Sequence, residues 1–467
     1  MNILVLNGSP KGKYSVTLQT VRYLEILNPQ HTFDVFDVGQ KIRSIENDFS
    51  AAKEKLENAD VIVFSYPVYT FIAPYQLHKF IELMKKSGVN LSGKYATQIT
   101  TSKHFYDVTA HKYIQENCQD LGMKFIKGLS ADMDDLTSEK GQKDAENFFN
   151  LILWSIENDV YEVAAEKPLR KPLAFAEVPE GAAAWNAWAD DNAFEGKLGD
   201  VVILTDCSEE NVHLQKLIAR FRAIFPRKTR VVNILDYPFK GGCIGCFSCA
   251  VSGKCVYKDG FDDFLRNDIQ KSEAIVYAFS VKDHSMGARF KLYDDRQFCN
   301  GHRTVTMGMP MGYLVNGYYS DEMNLKMIVE ARAEVGNNFL AGVATDEVNP
   351  NAEVDKLAKT LSYALEKGYV PPQNFYGIGG MKIFRDLIWQ MQGMMKADHK
   401  FYKAHGQYDF PQKHRGKMLA MYLVGAMLSS DKIKSKMGNK MNEGMVMPYK
   451  KALEKAEKRM QDAEKDK

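Results

Sequence analysis

Twice along this chain, short continuous apolar runs alternate with helical patterns in the same order, and that rhythm limits the fold more than any other feature. In the first passage the runs lie at residues 2–6, 32–37, 60–65 and 95–101 and around Phe125. Helical patterns start at Val16, span residues 51–58, follow Pro74, lie near Ala110 and start again at Gly141. In the second passage the runs lie at residues 200–205, 230–235, 273–279, 303–309 and 338–344. Runs that are apolar throughout, rather than at every other residue, predict strands buried on both faces of a parallel sheet. Five such strands with intervening helices, twice, predict an α/β chain of two doubly wound parallel five-stranded sheets.

At 467 residues the chain exceeds one ordinary core, and about 150 residues per domain gives roughly three units. The predicted division is a first sheet domain over 1–158, a linker over 159–198, a second sheet domain over 199–350 and a helical extension over 351–467. Pro168, Pro172, Pro179 and the small-residue run 181–184 mark the linker as a surface segment. First to third strand takes 58 residues in the first passage (2 to 60) and 73 in the second (200 to 273). The excess of 15 matches the cysteine-bearing stretch 241–257, which reads as an insertion that the first passage lacks. Beyond Asn351 the chain turns helical and Met-rich, and its charged end, 450–467, reads as a solvated helix or a frayed tail.

The charge balance excludes some partners. With 61 basic and 59 acidic side chains intermixed, the net charge of +2 offers no footprint for nucleic acid. It also disfavours a simple electron shuttle, which docks through one strongly charged face. The chain enters an apolar run at once, with no basic leader, and its longest apolar window near the other end, 418–428, falls short of the ~20 residues of a membrane span. Seven cysteines without a secretion signal point to a reducing compartment, so the expected location is the cytoplasm.

Three loops carry candidate chemistry. After the first strand comes Gly8-Ser9-Pro10-Lys11-Gly12-Lys13-Tyr14-Ser15-Val16-Thr17. A phosphate there would meet turn N–H groups, the hydroxyls of Ser9, Ser15 and Thr17, and the positive end of the next helix. An ordinary capped strand-to-helix turn is the alternative. After the third strand, Tyr66-Pro67-Val68-Tyr69-Thr70-Phe71 offers aromatics at the end of the sheet where open α/β folds bind ligands, or else caps the core. The third loop, Thr101-Ser102-Lys103-His104-Phe105-Tyr106, reaches the same rim.

The most specific signal is Cys243-Ile-Gly-Cys246-Phe-Ser-Cys249, completed by Cys255. Four thiolates within 13 residues suit one compact iron–sulfur centre, whereas structural zinc sites set two C-x2-C pairs further apart. Zinc, or a cysteine loop that holds no metal, stays open. Cys118, Cys207 and Cys299 read as isolated structural thiols. Gly377, Gly379 and Gly380 read as a helix-entry turn, and His399, His405 and His414 lack partners at metal spacing.

The Gly8–Leu18 loop and the stretch from Tyr66 to Phe80 resemble the flavodoxin-like NADPH-dependent FMN reductase family. The cysteine run is similar to that of the family's iron–sulfur flavoprotein branch, where such a run binds a 4Fe–4S cluster. The resemblance covers residues 1 to about 150 and, more loosely, 198 to about 348. It implies two tandem flavodoxin-like domains, with FMN held by Ser9, Lys11, Ser15 and Thr17 at the phosphate and by Pro67, Val68, Tyr69 and Ser102 at the ring. It implies Cys243, Cys246, Cys249 and Cys255 as cluster ligands. The second copy departs from the pattern: Asp206-Cys207-Ser208-Glu209-Glu210 replaces the phosphate turn, and the loop after its third strand lacks the Pro-x-Tyr element. One FMN is therefore expected, in the first copy. The implied function is electron transfer from NAD(P)H or ferredoxin through FMN to a small oxidised acceptor such as a quinone, nitro or azo compound. The rival is a non-catalytic electron carrier or redox-responsive partner protein. The family's assemblies also imply a homo-oligomer, or a pseudo-dimer within this one chain in which the cysteine loop faces the flavin rim of the first copy.

Overall fold

The computed structural model describes residues 1–166, 168–187 and 198–428, with scattered positions between 447 and 465. The chain divides into two compact units, Met1–Ala404 and His405–Lys467.

The first unit contains both sheets. In the first half of the chain, β1 (Asn2–Asn7), α1 (Val16–Leu27), β2 (Thr32–Phe36), α2 (Val38–Asn47), α3 (Ser50–Asn58) and β3 (Val61–Pro67) come first. α4 (Tyr75–Lys86), β4 (Tyr95–Ser102), α5 (Asp107–Asp120), β5 (Lys124–Phe125), β6 (Leu129–Asp132) and α6 (Glu139–Glu157) follow. The sheet order is β2-β1-β3-β4-β5, all parallel, with β6 also paired to β4. The strand expected around Phe125 is thus split in two. Gly128 sits in the break, where a Cβ would lie 2.3 Å from Gln98 Cγ.

The second half repeats the plan with β7 (Leu198–Thr205), α7 (Val212–Ile224), β8 (Arg227–Asn233), α8 (Ser248–Ser252) and α9 (Phe261–Asp263), which runs on as a π-helical turn, Phe264–Ile269. It continues with β9 (Ala274–Ser280), α10 (Gly287–Arg296), β10 (Pro310–Asn316), α11 (Met323–Val335), β11 (Phe339–Thr345), α12 (Pro350–Lys367), α13 (Phe375–Gln390) and α14 (Lys396–Ala404). Its order, β11-β10-β9-β7-β8, is that of the first sheet, again all parallel. The fourth strand differs from expectation. Residues 303–309 form turns, with Gly308 at φ 81°, and the strand begins at Pro310. The first residue of a strand is a position where a missing N–H is tolerated.

Why both faces must be apolar is visible in the packing. Ile3, Val5, Val61 and Val63 meet Leu18, Val21 and Leu24 of α1 and Phe148, Phe149 and Ile152 of α6. In the second sheet Val201, Ile203, Val276 and Ala278 meet α7 and α12 in the same way. The opposite faces do not form separate cores. Leu4, Leu6, Ile62 and Phe64 of the first sheet and Val202, Leu204, Ile275 and Tyr277 of the second belong to one continuous cluster, which includes Phe80 of α4 and Phe290 of α10. Equivalent helices of the two halves pack on each other, α4 on α10 and α5 on α11. That is the self-complementary arrangement of a dimer built from like subunits, here within one chain.

The described part of the connecting segment lies along the second sheet. Ala174 N donates to Asp346 O at 2.7 Å, Glu177 N to Asn351 Oδ1 at 2.8 Å, and buried Arg222 donates to the carbonyls of Ala184 and Trp185 at 2.9 and 2.7 Å. Residues 188–197 lie outside the described residues. In the second unit the described structure is chiefly α15 (Arg415–Leu428), and most of the charged end expected at 450–467 lies outside the described residues. No described helix is long and apolar enough to cross a membrane.

Candidate functional site

Parallel strands deliver their following loops to one rim, and in the first sheet the loops after β1, β3 and β4 meet there. The loop after β1 is held from below by Asn7, whose Nδ2 donates to Asp37 Oδ1 at 2.8 Å and whose Oδ1 accepts from Ser9 N at 3.3 Å. Gly12 is left-handed, at φ 54°, and a Cβ there would lie 2.3 Å from Gln40. Ser15 caps α1, its Oγ accepting from Leu18 N at 3.4 Å. That bond leaves the hydroxyl proton available to a ligand. Thr17 Oγ1 and Thr101 Oγ1 share a hydrogen bond of 2.6 Å, which ties this loop to the third.

The loop after β3 closes on itself through Tyr69 N to Ile72 O (2.8 Å) and Ile72 N to Tyr69 O (3.1 Å), with Thr70 and Phe71 left-handed. Its aromatics divide. Tyr66 is fully buried, its hydroxyl donating to Gln98 Oε1 and Ala110 O, and Phe71 is buried against Phe105 and Tyr106. Tyr69 and Phe71 line a cavity at the rim, and Tyr66 does not. In the second half, Lys282 and Ser285 exchange the same pair of bonds at 2.8 and 3.0 Å, with Asp283 and His284 left-handed. The second copy has lost the side chains of this loop and kept its backbone. In the third loop Ser102 Oγ accepts from His104 N at 2.9 Å, while Lys103 is engaged by Asp132 and Asp134.

The cysteine run leaves the second sheet after β8 and turns at three left-handed residues, Gly245, Phe247 and Gly253. It reaches the first half. Gln76 Nε2 donates to Cys243 O at 3.3 Å, and a Cβ on Gly245 would lie 2.1 Å from the Tyr69 hydroxyl. Gly245 N approaches Cys243 Sγ at 3.5 Å, and Arg296, clamped by Asp259 through two bonds of 2.8 Å, holds Nη2 4.0 Å from Cys255 Sγ. All seven cysteines are free thiols. Burial pushes Cys243 well above the ordinary thiol range and lifts Cys249 to about 11, with Asp398 adding to the latter. Metal binding would release the thiol protons to solvent, and four sulfurs on one loop are a donor set that fits a metal centre.

One cavity of about 380 Å³ joins these parts. Ser9, Lys11, Ser15, Thr17, Pro67, Val68, Tyr69 and Ser102 line it, and so do Cys243, Cys246, Cys249 and Cys255. The residues expected to hold FMN and the four cysteines of the run thus line the same cavity. Cys299 lines it too, its thiol raised chiefly by burial, then by Asp262, with Cys255 and Cys249 adding to the rise, so it is not isolated as its spacing suggested. Cys118 and Cys207 are buried in the cores. Sequence reasoning also missed His302, Arg303, Arg332 and Phe384, which line the far side from three separate elements. The hydroxyls and turn glycine of the first loop fit a phosphate, and the aromatic second loop fits a flat ring.

The rim of the second sheet is different. It opens on a cleft of about 1180 Å³ where Asp206 stands at the start of the first loop, its carboxyl pushed up to about 7 by burial. A half-buried carboxyl lining that cleft is unsuited to a phosphate.

Residues 1–148 match the family model described as flavodoxin-like fold. The chain is 27% identical over 175 residues to the iron–sulfur flavoprotein of Archaeoglobus fulgidus, a match that covers 35% of this chain and 78% of that protein. It is 20% identical over 189 residues to an iron–sulfur flavoprotein of Clostridioides difficile, covering 33% and 79%. Against FMN-dependent NADH:quinone oxidoreductase 2 of Pseudomonas syringae pathovar tomato it is 30% identical over 118 residues, covering 19% and 56%. Residues 1–148 are thus similar to a flavodoxin-like family model, and parts of the chain are similar to iron–sulfur flavoproteins and to an FMN-dependent NADH:quinone oxidoreductase.

Proposed function

We infer that this chain, a flavin-dependent oxidoreductase, binds one FMN at the rim of the first sheet and a 4Fe–4S cluster on its cysteine run. Electrons enter from NAD(P)H or ferredoxin and leave to a small oxidised acceptor such as a quinone, nitro or azo compound. Bound FMN supplies the hydride and one-electron chemistry, and the protein supplies position and electrostatics. Ser9, Lys11, Ser15 and Thr17 hold the phosphate. Pro67, Val68, Tyr69 and Ser102 hold the ring. Cys243, Cys246, Cys249 and Cys255 hold the cluster, with Arg296 beside Cys255 to offset its negative charge.

The observation that carries this reading is the single cavity shared by both sets of residues. Redox centres on opposite faces of the molecule could not exchange electrons, and these two sets face each other. The test is anaerobic purification followed by flavin, iron and zinc quantification and NAD(P)H oxidation with a quinone acceptor. One FMN, about four irons and steady turnover are expected. Stoichiometric zinc defeats the cluster. Flavin reduced only by a protein donor, with no turnover of small acceptors, makes the chain a carrier.

A further inference from the structure

We propose a divalent metal site at the seam between the two halves, outside the cavity of the cysteine run, with His284, Glu116 and Glu322 as ligands and Asp120 as the outer partner of the imidazole. His284 sits at the tip of the loop after β9. Its Nδ1 lies 3.0 Å from Glu322 Oε2 and 4.0 Å from Glu116 Oε2, and the three donor atoms lie within 4.8 Å of one another. Metal–ligand bonds of about 2.0–2.2 Å put donors around one ion roughly 3–4 Å apart. The spacing is that of a site needing only small side-chain rotations.

Three further observations point to a ligand. On the other side of the ring, His284 Nε2 lies 3.0 Å from Asp120 Oδ2. A carboxylate on the distal nitrogen is the usual support of a metal-binding histidine. Glu116 Oε2 is buried and has no hydrogen-bond partner. The nearby cations stand outside: Lys112 is 4.0 Å from the other oxygen of Glu116, and Lys85 bridges Asp120 and Asp283. Among the described residues the inward oxygen of Glu116 meets only the His284 imidazole at 4.0 Å, beyond hydrogen-bond reach, and a bound cation would satisfy it.

The repeat supplies a control. In the first half the place of His284 is taken by Phe71, whose ring lies 5.3 Å from the Arg332 guanidinium of α11. The same loop meets the opposite half in both places: Phe71 presents a ring to Arg332, whereas His284 presents an imidazole to Glu116 and Asp120. Two carboxylates and an imidazole suit Mn2+, Fe2+, Co2+ or Zn2+. The ion displaces a proton from the imidazole to solvent and leaves its other positions to water.

The test is titration of chelator-treated full-length protein with Mn2+, followed by the loss of the free-ion paramagnetic resonance signal. Manganese avoids the thiolates of the cysteine run. One saturable Mn2+ per chain is expected, with a raised melting temperature on binding. His284→Ala and Glu322→Gln should abolish binding, Asp120→Asn should weaken it about 10–100-fold, and Cys246→Ala should leave it unchanged. Should His284→Ala fail to fold, Glu116→Gln decides, because it keeps the shape and removes a ligand. Wild-type affinity in Glu116→Gln overturns the proposal. So does a native chain that takes up neither Mn2+ nor Co2+ outside the cysteine run, which leaves His284 as a protonated bridge between carboxylates.

Discussion

Lys11, on the loop after the first strand, holds its ammonium 5.7 Å from the centre of the Phe247 ring, inside the cysteine run. Residues 236 positions apart meet because α4 and α10 share a core, which turns the rims of the two sheets toward a common space. The loop bearing Tyr69 is fastened from the other half as well. Lys291 Nζ donates to Tyr69 O at 2.9 Å and to Thr70 Oγ1 at 2.7 Å, and Asp295 accepts from Thr70 Oγ1 and Tyr75 N at 2.6 and 2.7 Å. One half carries the loop and the other half fixes its shape.

Lys291 is fully buried and pairs with Asp294 and Asp295, themselves buried. Removing one partner of such a group leaves uncompensated charge, which is destabilising by about 3–5 kcal/mol. Lys291→Met should therefore lower the urea midpoint steeply, and surviving folded protein should bind FMN more weakly. A midpoint equal to that of the wild type means that the buried cation adds no stability.

One FMN per chain is expected. Replacing Ser15 and Thr17 together by Ala should weaken FMN binding at least tenfold. The loss of the Ser15 cap also destabilises α1 by about 1 kcal/mol, so affinity must be measured well below the melting transition. Undiminished affinity removes this loop from the phosphate site, and two FMN per chain means that the second rim binds despite Asp206.

The sheets were legible because their central strands obey one physical rule: Ile3 and Val5 face one helical layer while Leu4 and Leu6 face the other, so β1 is apolar throughout. β10 was not, because Gly308, Pro310 and Gly312 read as breakers while Val305, Met307 and Met309 imitate a strand one step too early. The phosphate and cysteine loops were legible because their chemistry is contiguous. Glu116, His284 and Glu322 carry no spacing signal at all, since they meet only when two halves dock. The retained turn at Asp283 and His284 was hidden for another reason: its backbone is shared with Thr70 and Phe71, and its residue types are not.

Asp206 provides a pH test. Its carboxyl, raised to about 7 by burial, holds a proton in the folded chain through a range where the unfolded chain, near its ordinary value of 3.8, has lost it. Between those values the folded state binds more protons, so this group's contribution makes stability fall as pH rises from about 4 to about 7. Asp206→Asn removes the penalty. The variant should match the wild type near pH 4 and exceed it by about 1–3 kcal/mol at pH 8. A constant difference across that range, or none, contradicts a burial-raised carboxyl.

The last prediction separates ligands from bystanders among the thiols. Cys299 lines the same cavity as the run and feels Cys249 and Cys255, yet it lies beyond α10, held by its own backbone carbonyl accepting from Arg266 and Arg303 at 3.1 and 3.2 Å. If the contiguous run is the ligand set, Cys299→Ser should keep the iron content of anaerobically prepared protein. Cys246→Ala should lose the iron while FMN binding persists, because Cys246 is the exposed member, with no core to disturb, and the flavin loops belong to the other half. Iron lost from Cys299→Ser and kept in Cys246→Ala would exchange their roles. That outcome would make the cluster ligands a property of the folded cavity and not of the C-x2-C-x2-C spacing.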